Sequence, residues 1–269
     1  MKTTINGSAI HFTESGSDTA PPVIFVHGFP FSHEMWKPQL DVVGRMYPTI
    51  AYDIKGHGQS DVGDGQYSIE AHVDDLFALL DHLKVSKTVI VGISMGGYIT
   101  LRALERNPER FRGVVLCDTR SEGDSNEAKI KRFAGIQQVK RSGAAEFGAA
   151  FVKAAFAPET FRTKPEVIES IQKIISATPA LSIAGSLLAL AARTDTTASL
   201  SNIKLPTMIL VGEFDALTPP AASRAMHERI PGSELHIVPQ AAHMSNLENS
   251  EFFNEKLLYF LKRISAESA

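Results

Sequence analysis

Cysteine is nearly absent. Cys117 stands alone among 269 residues, which excludes an internal disulfide and suits a reducing compartment. Long apolar runs are missing as well: none approaches the ~20 residues that a membrane-crossing helix needs. The first sixteen residues, MKTTINGSAIHFTESG, hold no apolar segment of the secretory kind, so cytoplasm is the expected location. Neither sign of charge dominates. With 27 basic and 30 acidic residues the formal net charge is −3, which points to neither nucleic acid nor an acidic membrane surface as partner. No Cys–His cluster occurs, and His27, His33 and His57 lack the spacing of metal ligands, so no metal or other cofactor is expected. Internal repeats and low-complexity segments are missing too. What remains is an ordinary globular composition, 43% hydrophobic and 21% charged, long enough for one large α/β domain or two small ones.

One stretch organises the rest. Lys87 to Val91 is a β-branched run that reads as a buried strand. Gly92-Ile93-Ser94-Met95-Gly96-Gly97 follows, and Tyr98 to Arg106 then shows helical spacing, with Ile99, Leu101, Ala103 and Leu104 apolar. Strand, Gly-x-Ser-x-Gly, helix is the pattern that sets a serine on a sharp, strained turn. The positions two before and two after the serine must be small, and Gly92 and Gly96 meet that demand. The Ser94 hydroxyl is thereby lifted clear of the sheet, and the Met95 N–H at the start of the helix is left free for an oxyanion. The plainer reading is a glycine-rich turn with a serine helix cap.

Around this stretch strands and helices alternate. Thr3–Ile5 and Ala9–Thr13 flank Asn6-Gly7, a hairpin signal. Thr19-Ala20-Pro21-Pro22 reads as a break. Val23–Val26 is a fully apolar central strand ending in His27-Gly28-Phe29-Pro30. A helix over Glu34–Met46 and a strand over Thr49–Ile54 follow, then the loop Lys55–Ser60. Ser68 can cap an amphipathic helix to Leu83 with Val73, Leu76, Phe77, Leu80 and Leu83 on one face. Asn107-Pro108 stops the helix after Ser94, and Gly113–Cys117 is another buried strand. The expected fold is α/β, a mostly parallel sheet covered on both faces.

Residues 120–200 differ: helices over about 125–141, 143–155, 165–177 and 180–193, and no convincing strand. The alternation resumes after Pro206, with strands at Thr207–Val211 and Leu235–Val238 and helices at Pro220–Ile230 and Glu248–Ile264. The expectation is a discontinuous core of residues 1–119 and 201–269, with 120–200 a helical insertion over the carboxyl ends of the strands, where open α/β sheets bind ligands.

A serine hydroxyl needs a base, and the base needs an acid to fix its tautomer. In this topology the order is serine, acid, histidine. Of the histidines after Ser94, His227 sits among charges in a helix and His236 inside a strand. His243 lies in a loop between the last strand and the last helix, on the serine's side of the sheet, and is the expected base. Asp215, just past the Thr207–Val211 strand, ranks first as acid, with Asp118 as fallback and Glu213 as a close rival. The second oxyanion N–H is expected from Phe29, where Gly28 lets the backbone approach. His27 is expected to brace that loop. Cys117 is expected to pack as a small hydrophobe.

With these residues in hand, the chain resembles the α/β-hydrolase superfamily over nearly its whole length. HGFP, DIKGHGQS at 53–60, GISMGG, GEFDALTPP and AAHMSNLE are similar to the corresponding segments of small bacterial carboxylesterases, 3-oxoadipate enol-lactonases and cofactor-free haloperoxidases or perhydrolases. The resemblance implies an inserted helical cap, Ser94 as nucleophile, Asp215 as acid, His243 as base, and Phe29 and Met95 as oxyanion donors. It departs at Lys55, where arginine is usual, and at Ile93, where His or Leu is common. A serine at position 94 argues against epoxide hydrolases and haloalkane dehalogenases, which use aspartate. The implied activity is hydrolysis of small carboxylic esters or lactones through an acyl-enzyme. Two other readings use the same residues: a C–C bond hydrolase of diketones, and a ligand receptor that retains the triad. The expected partner is a small molecule, and the phenylalanines at 133, 147, 151, 156 and 161, with few charges beside them, imply an apolar or aromatic one.

Overall fold

The structure, a computed structural model, describes residues 1–16 and 22–266. In chain order the elements are β1 (Lys2–Ile5), β2 (Ser8–Ser15), β3 (Val23–Val26), α1 (Lys37–Val43), β4 (Thr49–Tyr52), α2 (Ile69–His82), β5 (Thr88–Ile93), α3 (Met95–Arg106), β6 (Phe111–Cys117), α4 (Asn126–Ala155), α5 (Pro158–Thr163), α6 (Pro165–Ala177), α7 (Ala180–Ala191), β7 (Thr207–Gly212), α8 (Pro220–Arg229), β8 (Glu234–Val238), α9 (Ser245–Glu248) and α10 (Ser250–Ala266). The break read at Thr19 to Pro21 lies outside the described residues.

The eight strands form one sheet in the order β1-β2-β4-β3-β5-β6-β7-β8. The β1–β2 and β2–β4 pairs are antiparallel, and every pair from β4 to β8 is parallel. Strands β3, β4, β5 and β7 are buried at every residue, because helices cover the sheet and leave no polar face. Strand β5 runs in the centre, with Val26 and Leu116 both opposite Gly92. The carboxyl ends of β3, β5, β6 and β7 therefore lie side by side, and the loops carrying Phe29, Ser94, Asp118 and Asp215 leave from the same edge.

Local chemistry sets the helix limits. The Ser68 side chain accepts the Ala71 N–H and starts α2, and Ser125 caps α4 through the Ala128 N–H, each satisfying one orphan donor. The helix expected over Glu34–Met46 is instead a 3₁₀ turn, His33–Trp36, followed by α1, whose second residue is Pro38. Proline has no N–H to donate and is tolerated only in a helix's first turn. The last helix is interrupted at Asn249, whose φ of −134° and ψ of 64° are not helical. The strand expected to run to Ile54 ends at Tyr52.

Between β6 and β7 lie α4 to α7. Gly143, with φ 78° and ψ 175°, kinks α4 at the break expected between 141 and 143; only glycine adopts that conformation freely. α5 was not expected, being too short for periodicity to register. The two ends of this segment are held together by Thr196 N–H to Ser121 O (3.0 Å) and by Gly123 N–H to Asp195 Oδ2 (3.2 Å). Its inner face packs tightly on the core: a methyl group on Gly185 of α7 would lie 2.1 Å from the Gly65 carbonyl oxygen. Phe147 and Phe156 are buried there, whereas Phe133 and Phe161 are 52% and 37% exposed and are not part of a core. No single helix among the described residues is long and apolar enough to cross a membrane.

Candidate active site

Ser94 stands between β5 and α3 with φ 53° and ψ −113°, a conformation costing about 1–3 kcal/mol. Three hydrogen bonds hold it: its N–H donates to Cys117 O (2.9 Å), and its carbonyl accepts from Tyr98 N–H (3.1 Å) and Thr119 Oγ1 (2.9 Å). The glycines earn their places by contact. A methyl on Gly92 would lie 2.4 Å from Gly96 O, and one on Gly96 would lie 2.2 Å from Val26 O. Ser94 makes no side-chain cap to α3, so its hydroxyl is free of the role that the plainer reading gave it.

The hydroxyl meets His243 instead. Ser94 Oγ lies 2.9 Å from His243 Nε2, and His243 Nδ1 lies 2.9 Å from Asp215 Oδ2. A carboxylate only accepts, so Nδ1 carries the proton and Nε2 is left to accept from the serine. Asp215 and His243 are 3% and 2% exposed. The Asp215 carboxylate is fixed from its other side by the N–H groups of Leu217 (2.8 Å) and Thr218 (2.9 Å) and by Thr218 Oγ1 (2.6 Å). Burial alone would raise its pKa. The neighbouring His243, with hydrogen bonds from His243 and Thr218, holds it below the ordinary carboxylate range.

Asp118 and Glu213 are not brought to His243. Asp118 has φ 44°, and its oxygens accept from Gly212 N–H (2.8 Å) and pair with Ser245 Oγ. Burial, then the charge on Asp215, pushes its carboxyl well above the ordinary range, so the two buried carboxyls are shifted in opposite directions. Glu213 accepts the Gln240 N–H. His227 is exposed and bonds Ser233, and His236 lies 3.3 Å from Glu234.

Phe29 and Met95 flank the serine, and among the described residues neither backbone N–H has a hydrogen-bond partner. The first loop lies against the turn: a methyl on Gly28 would touch Ser94 Cβ at 3.3 Å. His27 Nδ1–H donates to Gly28 O (2.8 Å), and its Nε2 accepts from Ile54 N–H (3.0 Å). Burial drives its pKa down to about 4, so it is a neutral brace. The loop at 53–60 is tied through Asp53, whose carboxylate accepts from His33 N–H and Nδ1 (both 2.8 Å), Gln59 N–H (2.9 Å) and His11 Nδ1 (3.1 Å). The departure at Lys55 therefore leaves the brace intact. His11, His33 and Asp53 hold ligand-type atoms within 4.8 Å of one another, a grouping that sequence spacing did not suggest. Both Nδ1 atoms are spent on the carboxylate, an arrangement that serves the loop.

Beside Phe29 a cavity of about 1010 Å³ is walled by Phe29, Tyr98, Phe147, Phe151 and Leu217. Phe29 meets the rings of Phe147 and Phe151 edge to face at 6.1 and 5.9 Å, which anchors the second half of α4 on the candidate oxyanion loop. The wall is not purely apolar, as the sequence had suggested: Arg120, Arg132 and Arg193 also line it.

Sequence reasoning missed Glu248. It is buried, and its Oε2 accepts from Ala157 N–H (2.7 Å) and Thr160 Oγ1 (2.6 Å) while Oε1 accepts from Ala242 N–H (2.8 Å). Ala155 O accepts the His243 N–H (3.0 Å). The loop of the candidate base is thus pinned to the α4–α5 junction. Burial raises the Glu248 carboxyl, against the hydrogen bonds that favour its charged form. Glu248→Gln turns an NH₂ toward donors. It should cost about 2–3 kcal/mol, or roughly 5–10 °C in Tm, and lower kcat more than it changes KM. Thermal melts and steady-state kinetics check this. In the sequence Glu248 only closes the AAHMSNLE segment, because what its carboxylate holds depends on a contact with residues some ninety positions away.

The chain was compared with known proteins. Residues 21–250 match the alpha/beta hydrolase fold family. A 3-oxoadipate enol-lactonase of Acinetobacter baylyi is 29% identical, over 96% of this chain and 94% of its own. Among solved structures, a thermophilic esterase from Thermogutta terrifontis with malate bound superposes with a TM-score of 0.92, at 35% identity, covering 98% of this chain and 97% of that one. An enol-lactonase from Burkholderia xenovorans gives 0.91 at 26% identity, over 97% and 100%. With its mostly parallel eight-stranded sheet, the chain belongs to the α/β-hydrolase family.

Proposed function

We propose that the protein hydrolyses small carboxylic esters or lactones through an acyl-enzyme on Ser94, with His243 as base and Asp215 as the acid that orients it. The observation that supports this most is the unbroken line from Ser94 Oγ to His243 Nε2 and from Nδ1 to Asp215 Oδ2, both links 2.9 Å. The similarity to an esterase and to enol-lactonases over nearly the whole chain supports the substrate class.

The serine oxygen attacks the substrate carbonyl carbon as His243 Nε2 takes the hydroxyl proton. The ionised Asp215 stabilises the imidazolium. The carbonyl oxygen becomes an oxyanion and accepts from the Phe29 and Met95 N–H groups, each such donor being worth about 100- to 1000-fold in rate. As the C–O bond breaks, the imidazolium returns its proton to the leaving alkoxide. Water then gives a proton to His243 and attacks the acyl carbon, which frees the acid and restores Ser94. In this reading α4 to α7 form a cap, residues 120–200 by sequence, whose phenylalanines shape the acyl site.

Steady-state hydrolysis of p-nitrophenyl acetate, butyrate and octanoate beside a panel of lactones tests the proposal. Saturable turnover in at least one class, with a chain-length preference set by the cavity, is expected. Rates no higher than buffer in both classes contradict it.

A further inference from the structure

Three guanidinium groups converge beside Tyr98, one turn after Ser94: Arg102, Arg120 and Arg193 line one small cavity. Two are neutralised. Arg102 pairs with Glu70 and Glu105. Arg193 pairs with Asp124 and stacks on the Tyr98 ring, 4.2 Å from its centroid. Asp124 also takes Arg132, so its charge is fully used. Arg120 has no ion pair, hydrogen bond or ring contact among the described residues, and its Nε is buried without a partner. Glu122, two residues on, lines neither cavity and makes no ion pair with it.

The side chain is half-buried, and its Nε is shut away from water with no acceptor, which is costly for a cationic group. The side chain also lines the large cavity beside Phe29. Its backbone follows Thr119, which holds the Ser94 carbonyl. Arg120 thus follows the residue that braces the Ser94 turn, and it shares a cavity with the aromatic walls formed by Phe29, Phe147 and Phe151. The other cations of that cavity differ: Arg132 and Arg193 are paired, and Lys131 and Arg141 lie exposed on α4.

We infer that Arg120 is a specificity residue that binds a free carboxylate on the substrate, so that the preferred esters or lactones are anionic. One planar guanidinium fork matches one carboxylate, and apolar walls suit a short carbon chain between the carboxylate and the reacting carbonyl. This rests on the proposed ester hydrolysis for its setting, and the test separates the two.

The test compares kcat/KM for mono-p-nitrophenyl glutarate against p-nitrophenyl butyrate, and for 4-carboxyphenyl butyrate against phenyl butyrate, which place the charge on the acyl and alcohol sides. Glutarate binding is measured by calorimetry alongside. In one series the wild type should favour the anionic ester, and Arg120→Gln should lower that ratio at least tenfold, mainly through KM. Arg120→Lys should restore part of it, and Arg162→Gln, on exposed α5, should leave it unchanged. Glutarate affinity should fall with the ratio. Should Arg120→Gln fail to fold, inhibition of the wild type by glutarate but not by neutral glutaramide supports the inference, and equal inhibition overturns it. Parallel loss on both members of each series, or no charge preference in Ser94-dependent wild-type turnover, overturns it while the ester reading stands. Glutarate binding that depends on Arg120, with neither ester class cleaved, sinks the ester reading and leaves the anion site.

Discussion

Ser94→Ala should lower kcat for ester turnover by about 10⁴-fold or more, with Tm within a few degrees of wild type. The hydroxyl caps no helix, so its removal takes away the proposed attacking atom and little else. The backbone turn persists, because the hydrogen bonds to Cys117, Tyr98 and Thr119 use only main-chain atoms of residue 94. The two buried aspartates provide the contrast. Asp215→Asn should cost about 10³- to 10⁴-fold, because an amide NH₂ facing Nδ1 favours the wrong imidazole tautomer. Asp118→Asn should cost less than about tenfold, since that side chain reaches Gly212 and Ser245, not His243. Equal losses at 118 and 215, or substantial activity in Ser94→Ala, would show that the chemistry runs through another group.

Stability should fall steeply as pH drops from about 6.5 toward 4. Burial lowers three histidines furthest: His27 to about 4, and His57 and His72 to about 3. Folding keeps them neutral, while the unfolded chain takes up their protons near pH 6.5. In that window the unfolded state binds more protons, so stability rises with pH. It is fully present above about 6.5 and is lost as pH falls toward the folded values. Each histidine contributes a slope of about 1.4 kcal/mol per pH unit. Asp118 and Glu248, whose carboxyls are raised, hold protons in the fold and offset part of this. His72 gives the cleanest variant, because neither ring nitrogen has a hydrogen-bond partner among the described residues. His72→Phe should remove about one proton from the slope and leave stability at pH 7 equal or higher. Denaturant titrations between pH 4 and 7 measure both, and an unchanged slope contradicts the assignment.

How far the sequence could be read follows from how local each constraint is. The turn at Ser94 was legible because its glycines answer to contacts within a few residues and to neighbouring strands. The place of His243 in the loop after the last strand was legible, and the structure sets its ring between Ser94 and Asp215. Asp215 and Asp118 could only be ranked, since both follow parallel strands on the same edge. Their side chains part through backbone direction, φ 44° at Asp118, and through partners far away in sequence. Pro38 and Asn249 altered helices that hydrophobic spacing had drawn as continuous. Glu248 closes the AAHMSNLE segment, but what its carboxylate holds, like the unpaired Nε of Arg120, depends on what the fold brings together or leaves unpaired.

The most direct measurement is intact-mass spectrometry of the protein quenched with acid during turnover of p-nitrophenyl butyrate, followed by peptide mapping. The predicted result is one added butyryl group per chain, located on Ser94 and missing in Ser94→Ala. Turnover with no covalent adduct, or an adduct on another residue that persists in Ser94→Ala, would contradict the account.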